Sequence, residues 1–322
     1  MSGAAQDEGR YSRIFLPVAY AASDRVKQQG TRFVYYTTAH TAFLILRERE
    51  IWMRNTMTMN DFMEVEHGIE CLREVYRSAP GRAFEAAVDQ CFPGLADEVR
   101  QLFNAWIPSI RRDTFVACVS EHLPDEDNHG RLSMWRAYGG KAGVALVMNS
   151  DAILAESDAL AAYSSPVSYM EASELGAEME RIAATVSVNR DFVQSFGRDR
   201  LKTAAFHLLR FAAVCTKHPG FKEEREWRVV ASPTFEPSDL VPSELEVVKG
   251  IPQTVLKIKL RNYPERGLSG LEPRELLHRV IVGPCEYPDV VRRAIYHLLV
   301  DVGVSQPESR IAVSRIPLRW DS

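Results

Sequence analysis

The chain has 322 residues, of which 46% are hydrophobic and 25% charged, with a formal net charge of −4. That length fits one large domain or two ordinary ones with a sizeable core, and the charge balance excludes a globally basic nucleic-acid binder while leaving room for a local patch. Cys71, Cys91, Cys118, Cys215 and Cys285 form no C-x-x-C pair, which predicts reduced thiols in a cytoplasmic protein, not a disulfide framework or a zinc site.

No apolar run is long enough to span a bilayer, so no membrane partner is expected. Residues 1–12 are small and polar; they lack the pattern of a signal peptide and read as a disordered tail. Residues 13–23 are mildly apolar and suit a short strand or turn. Residues 33–37, rich in aromatic and β-branched side chains, predict a strand. Thr38 then caps a helix over 39–49, and a short strand resumes at 51–54.

Helical spacing recurs over 62–79 and 82–107, with Pro80-Gly81 as the break and Pro108 as the stop. Residues 114–120 predict a strand, 131–138 one or two helical turns ending at Gly139-Gly140, and 143–148 another strand. Residues 149–155 look like a short helix start, and a strand lies within 162–170. Two amphipathic helices follow over 171–190 and 197–216. Strands are expected at 221–230, 245–248, 254–260 and 277–283, then a helix over 288–302 and a last strand over 309–316. The final strand-helix-strand run has the form of a parallel crossover. Helices clustered at 62–107 and 171–216, with strands between and after, predict a single α+β domain over 13–322 with two helical insertions.

The stretch from Phe221 to Val230 carries the most chemistry. On a strand, Glu224, Glu226 and Arg228 share one face, and Arg225, Trp227 and Val229 the other. This is either a polar cleft or an edge strand whose alternating charges resist aggregation. Trp135 and Tyr138, three residues apart, can present both rings to a base or nicotinamide, or can anchor a core. Tyr35, Tyr36 and Thr37 end one strand and Ser120 another; their hydroxyls either grip a ligand or satisfy local backbone. Asn60, Asp61, Glu64, Glu66 and His67 gather polar groups at a helix start, as a metal or substrate cluster or as an ordinary cap with solvated charges. No G-x-G-x-x-G, P-loop, G-x-S-x-G or H-E-x-x-H pattern appears, and the histidines lack ligand spacing, so no metal ligands are assigned.

Several blocks taken together resemble a bacterial family known as domain of unknown function 2971. They are Tyr35-Tyr-Thr, Ile51-Trp-Met-Arg-Asn, Met59-Asn-Asp-Phe-Met-Glu64, Phe115 to Ser120, Met134-Trp-Arg-Ala-Tyr138, Lys222 to Arg228 and Val280-Ile-Val-Gly-Pro284. That family in turn distantly resembles the ADP-ribosyltransferase superfamily, whose members cleave NAD between nicotinamide and ribose. The resemblance implies a split β-sheet core and three strand-borne elements: Tyr35 with Thr37, Ser120, and Glu224-Arg-Glu226. Tyr35 stands where the superfamily carries His or Arg.

On this resemblance NAD is the substrate, and the acceptor is protein, nucleic acid or water. Glu226 stabilises charge on the ribose, and Glu224 orients or deprotonates the acceptor. Arg228 pairs with an acid or meets pyrophosphate, Trp135 and Tyr138 stack, and Asn60 and Asp61 border the cleft. A toxin or phage-defence setting follows by analogy. The alternatives are a silent nucleotide- or nucleic-acid-binding module, and a metal-dependent hydrolase or nuclease using Asp61, Glu64 and Glu224. A homo-oligomer is compatible with each.

Overall fold

The computed structural model describes residues 3–59 and 65–318. Twelve strands occur among them: β1 Arg32–Thr38, β2 Glu50–Asn55, β3 Phe115–His122, β4 Ala142–Met148, β5 Ala162–Pro166, β6 Ser168–Tyr169, β7 Thr216–Lys217, β8 Glu226–Ala231, β9 Ser243–Val248, β10 Ile251–Lys259, β11 Leu277–Cys285 and β12 Ile311–Val313. The class is α+β, with mostly antiparallel pairing. The single domain expected over 13–322 instead divides into two compact units, Met1–Asp24 with Thr56–Thr114 and Ser165–Lys222, and Arg25–Asn55 with Phe115–Ser164 and Glu223–Ser322. No described helix is long and apolar enough to cross a membrane.

The first unit is helical and gathers both expected insertions. The tail reading of residues 1–12 fails for the described part: Gly3–Phe15 is a helix that buries Tyr11, Ile14 and Phe15. Residues 13–23 are also helical, the next helix running Pro17–Gln29. A chain that can bury three large apolar side chains offsets the entropy of ordering its end. The remaining helices are Glu66–Tyr76, Ala79–Cys91, Leu95–Arg112, Ala172–Val188, Arg190–Ser195 and Arg198–Cys215.

The break expected at Pro80-Gly81 falls slightly earlier, at Arg77 and Ser78, and Pro80 occupies the first turn of the next helix, where its missing N–H costs no intrahelical bond. A second break, not expected, divides the helix read over 82–107 at Phe92 to Gly94, with Gly94 at φ +78°. Pro108 lies inside its helix, which continues to Arg112 and buries Ile110 beyond the proline. Gly68 allows the helix Glu66–Tyr76 to approach Arg198–Cys215 so closely that a Cβ would run into the carbonyl oxygen of Ala213.

The second unit is built on a sheet in the order β12-β11-β4-β1-β3-β2-β10-β9, with β8 pairing β3 and β5 pairing β8. β11 and β12 are parallel through the helix Pro288–Asp301, as the crossover pattern predicts. Thr38 caps Ala39–Glu48, its hydroxyl accepting the Thr41 N–H at 3.2 Å.

β3 organises the sheet. Along one edge it pairs β8 from Phe115 to Ser120. Along the other, its N-terminal Phe115 and Val116 meet β2, while Ser120 to His122 meet β1. Ala117, Cys118 and Val119 have no ladder partner on that second edge among the described residues, so β1 and β2 diverge there. One face of this split sheet packs Met53, Phe115, Ala117, Leu256 and Ile258 into a core. The other packs Val34, Tyr36, Ala145, Val147 and Ile281 around Met134 and Trp135.

Candidate active site

Directly paired residues in an antiparallel ladder share a face. Val34 pairs Ser120, and Ser120 pairs Glu226. These three form one row across β1, β3 and β8. Tyr36, Cys118 and Arg228 lie on the same face, because each is two residues from a member of that row. Ser120 and Glu226 are both buried, and Arg228 is fully enclosed. Arg228 Nε donates to Glu226 Oε1 at 2.9 Å. The expected strand over 221–230 begins only at Glu226. Residues Pro219–Glu224 form a tight 3₁₀ segment, and Arg225 takes a left-handed φ of 45°.

That kink takes Glu224 off the strand without taking it away from the site. Tyr138 donates its hydroxyl to Glu224 Oε1 at 3.1 Å. Burial first, then the carboxylates of Glu224 and Glu226, hold the Tyr138 phenol far above its usual range, so it remains a donor at neutral pH. Tyr138 belongs to a π-helical turn over Trp135–Gly139, a rare geometry that often marks functional positions.

Arg131, to which the sequence assigned no role, clamps the assembly. Its guanidinium donates to the carbonyls of Glu223 at 2.6 Å, Glu224 at 3.2 Å and Glu121 at 2.9 Å, and to Glu126 Oε1 at 3.0 Å. Its backbone N–H donates to the Tyr36 hydroxyl at 2.9 Å. Burial pushes the Tyr36 phenol up to about 12. Burial also works to raise the Glu126 carboxyl, but Arg131, the Leu123 N–H and Arg225 together outweigh it and the net shift is downward. Arg225 pairs with the same carboxylate, which ties the left-handed residue down. No local motif marks Arg131; the only signal is an arginine beside Gly130 at the mouth of a short helical turn.

Three expectations change. Tyr35 does not share a face with the acids. It alternates with Tyr36 and pairs Leu146, on the opposite side of the sheet from Ser120 and Glu226. Thr37, which is buried, alternates to the Tyr35 side. Trp135 is 0% exposed and its Nε1–H donates to the His129 carbonyl at 2.7 Å. The core-anchor reading therefore holds for Trp135, with no indole face open for stacking. Asn60 and Asp61 lie outside the described residues. The structure thus brings together Tyr36, Ser120, Trp135, Tyr138, Glu224, Glu226 and Arg228, and leaves Tyr35 and Thr37 apart.

One segment of the chain, residues 134–229, matches the family model described as Protein of unknown function (DUF2971). It runs from the π-helical turn through most of β8, so it contains both Tyr138 and the acidic pair. Comparison with the curated proteins and with the solved structures returned no match.

Proposed function

We propose that this chain is an NAD-using ADP-ribosyltransferase-like enzyme that cleaves the bond between nicotinamide and ribose. The observation that carries the reading is the row across β1, β3 and β8, with Ser120 directly opposite Glu226. Three adjacent strands contributing to one face, in a sheet that splits beside them, agree with the strand-borne elements that the sequence resemblance implies. Tyr36 replaces Tyr35 as the first-strand contributor.

The chemistry assigned to these residues is simple. As the C–N bond breaks, nicotinamide leaves with the electron pair and positive charge develops on the ribose. A carboxylate held in place beforehand stabilises that charge without reorganising. Glu226, fixed by Arg228, takes this role and accepts a ribose hydroxyl. The acceptor's oxygen or nitrogen then bonds to the ribose carbon and gives up its proton, for which Glu224 is the base, oriented by the Tyr138 hydroxyl.

The test is nicotinamide release from NAD, followed chromatographically with water, protein and nucleic acid as acceptors. Wild type is expected to release nicotinamide, and Glu226→Gln to lose roughly 10²-fold or more, as for other preorganised electrostatic groups. No release with any acceptor, together with a Glu226→Gln variant that behaves as wild type, defeats the reading. A second reading, a nucleotide-binding module without turnover, is favoured by Glu226 already being engaged by Arg228 in a buried pair. It predicts a thermal shift with NAD and no nicotinamide.

A further inference from the structure

The face of the sheet that carries Tyr35 holds a cavity. It lies wholly within the second unit, over the point where β1 and β2 diverge, and is walled by Ala117, Val229, Ile258 and Leu160 among others. Its empty space is about 730 Å³ with the open solvent at its mouth included. No charged side chain lines it among the described residues. Three hydroxyls do. Ser157 spends its own on the Arg266 carbonyl at 2.9 Å. The hydroxyls of Tyr35 and Ser164 meet no hydrogen-bond partner among the described residues.

This is an uneven arrangement. Tyr35 is deep enough that burial pushes its phenol up to about 12, with Cys118 adding to the shift and Arg54 opposing it. Tyr35 is half-buried, and its hydroxyl, with no side chain or carbonyl to bond among the described residues, looks into an apolar chamber that opens to solvent. Small-molecule sites share this composition: an apolar wall and a few polar groups that fix orientation. We propose that the cavity binds a small, uncharged, largely apolar molecule carrying one hydrogen-bonding oxygen or nitrogen, which the Tyr35 hydroxyl engages. Among the described residues no charged side chain lines the wall to repay the desolvation of a phosphate or carboxylate, so an uncharged molecule is favoured. The site stands apart from the chemistry proposed for the opposite face, and neither needs the other.

The experiment is calorimetric titration of the full chain with 2-naphthol, and with naphthalene as the same shape without the hydroxyl. Saturable one-to-one binding of 2-naphthol is expected. Tyr35→Phe weakens it about five- to tenfold, the worth of one hydrogen bond, and leaves naphthalene binding unchanged. Ala117→Phe, which fills the chamber, abolishes both. If that variant does not fold, intermolecular NMR contacts from the naphthol ring to the Val229 and Ile258 methyls locate the ligand instead. Absence of saturable binding, binding indifferent to Tyr35→Phe, or naphthol contacts that miss those methyls each overturn the proposal.

Discussion

The indole of Trp135 lies so close to Gly283 that a Cβ placed there would fall 2.8 Å from the ring. Gly143 and Gly130 approach the same indole equally tightly, with built Cβ distances of 2.9 and 2.7 Å. Trp135 is therefore held in a slot made by three glycines. The π-helical turn that carries Tyr138 is seated through it.

Gly283→Ala is expected to destabilise the chain by about 1–3 kcal/mol, the usual range for overpacking. Trp135→Ala should cost more, about 3–5 kcal/mol, by leaving a cavity. Combined, the two should cost clearly less than their sum, because removing the ring removes the clash. Urea denaturation of the two single variants and the pair checks this. Strict additivity shows that the slot does not confine the ring.

The Glu226–Arg228 pair gives a second prediction. Arg228→Met takes the Nε donor from a carboxylate that is only 6% exposed. Breaking a buried pair from one side costs about 3–5 kcal/mol. Arg228→Met with Glu226→Gln removes the charge as well as its partner and should recover part of that loss. Denaturation midpoints of the singles and the double measure the coupling, and an Arg228→Met variant as stable as wild type contradicts the pairing.

The helical unit predicts a pH dependence. His207, on the helix Arg198–Cys215, is lowered to about 4, by burial first and then by Arg210 and Arg200. Its folded value lies below the unfolded one of about 6.5. Between the two, the unfolded chain binds more protons, so stability rises with pH across this window. The contribution, on the order of 3 kcal/mol, is complete above about pH 6.5 and is lost as pH falls towards 4. His207→Leu should flatten this part of the stability profile measured by urea denaturation at stepped pH. A slope unchanged by the substitution assigns the effect to other groups.

Much of the sheet was legible because its strands have strong local signals. Residues 33–37, 114–120 and 143–148 each lie within an observed strand or within one residue of it, since aromatic and β-branched runs suit half-buried pleats. The prolines marked one helix boundary and missed another: Pro80 sits just inside a helix that starts after Ser78, whereas the burial of Ile110 carries its helix past Pro108. At the site, alternation correctly separated Glu226 and Arg228 from Trp227 and Val229. It failed for Glu224, because nothing local announces that Arg225 turns left-handed; that conformation is held by Arg131 and Glu126, which are distant in sequence. The choice between Tyr35 and Tyr36 was equally out of reach. It depends on the pairing register of β1 with β3, a long-range fact that two identical neighbouring side chains cannot encode.

The divergence of β1 from β2 gives those two tyrosines different environments within a single peptide unit. A deletion or insertion of one amino acid in this strand exchanges them, so that the ring held by the Arg131 N–H and the ring facing the apolar chamber trade places. Relatives aligned on the Tyr-Tyr letters alone can therefore be matched to the wrong compartment. Pairing them through the threonine that caps the following helix keeps each phenol with its own surroundings.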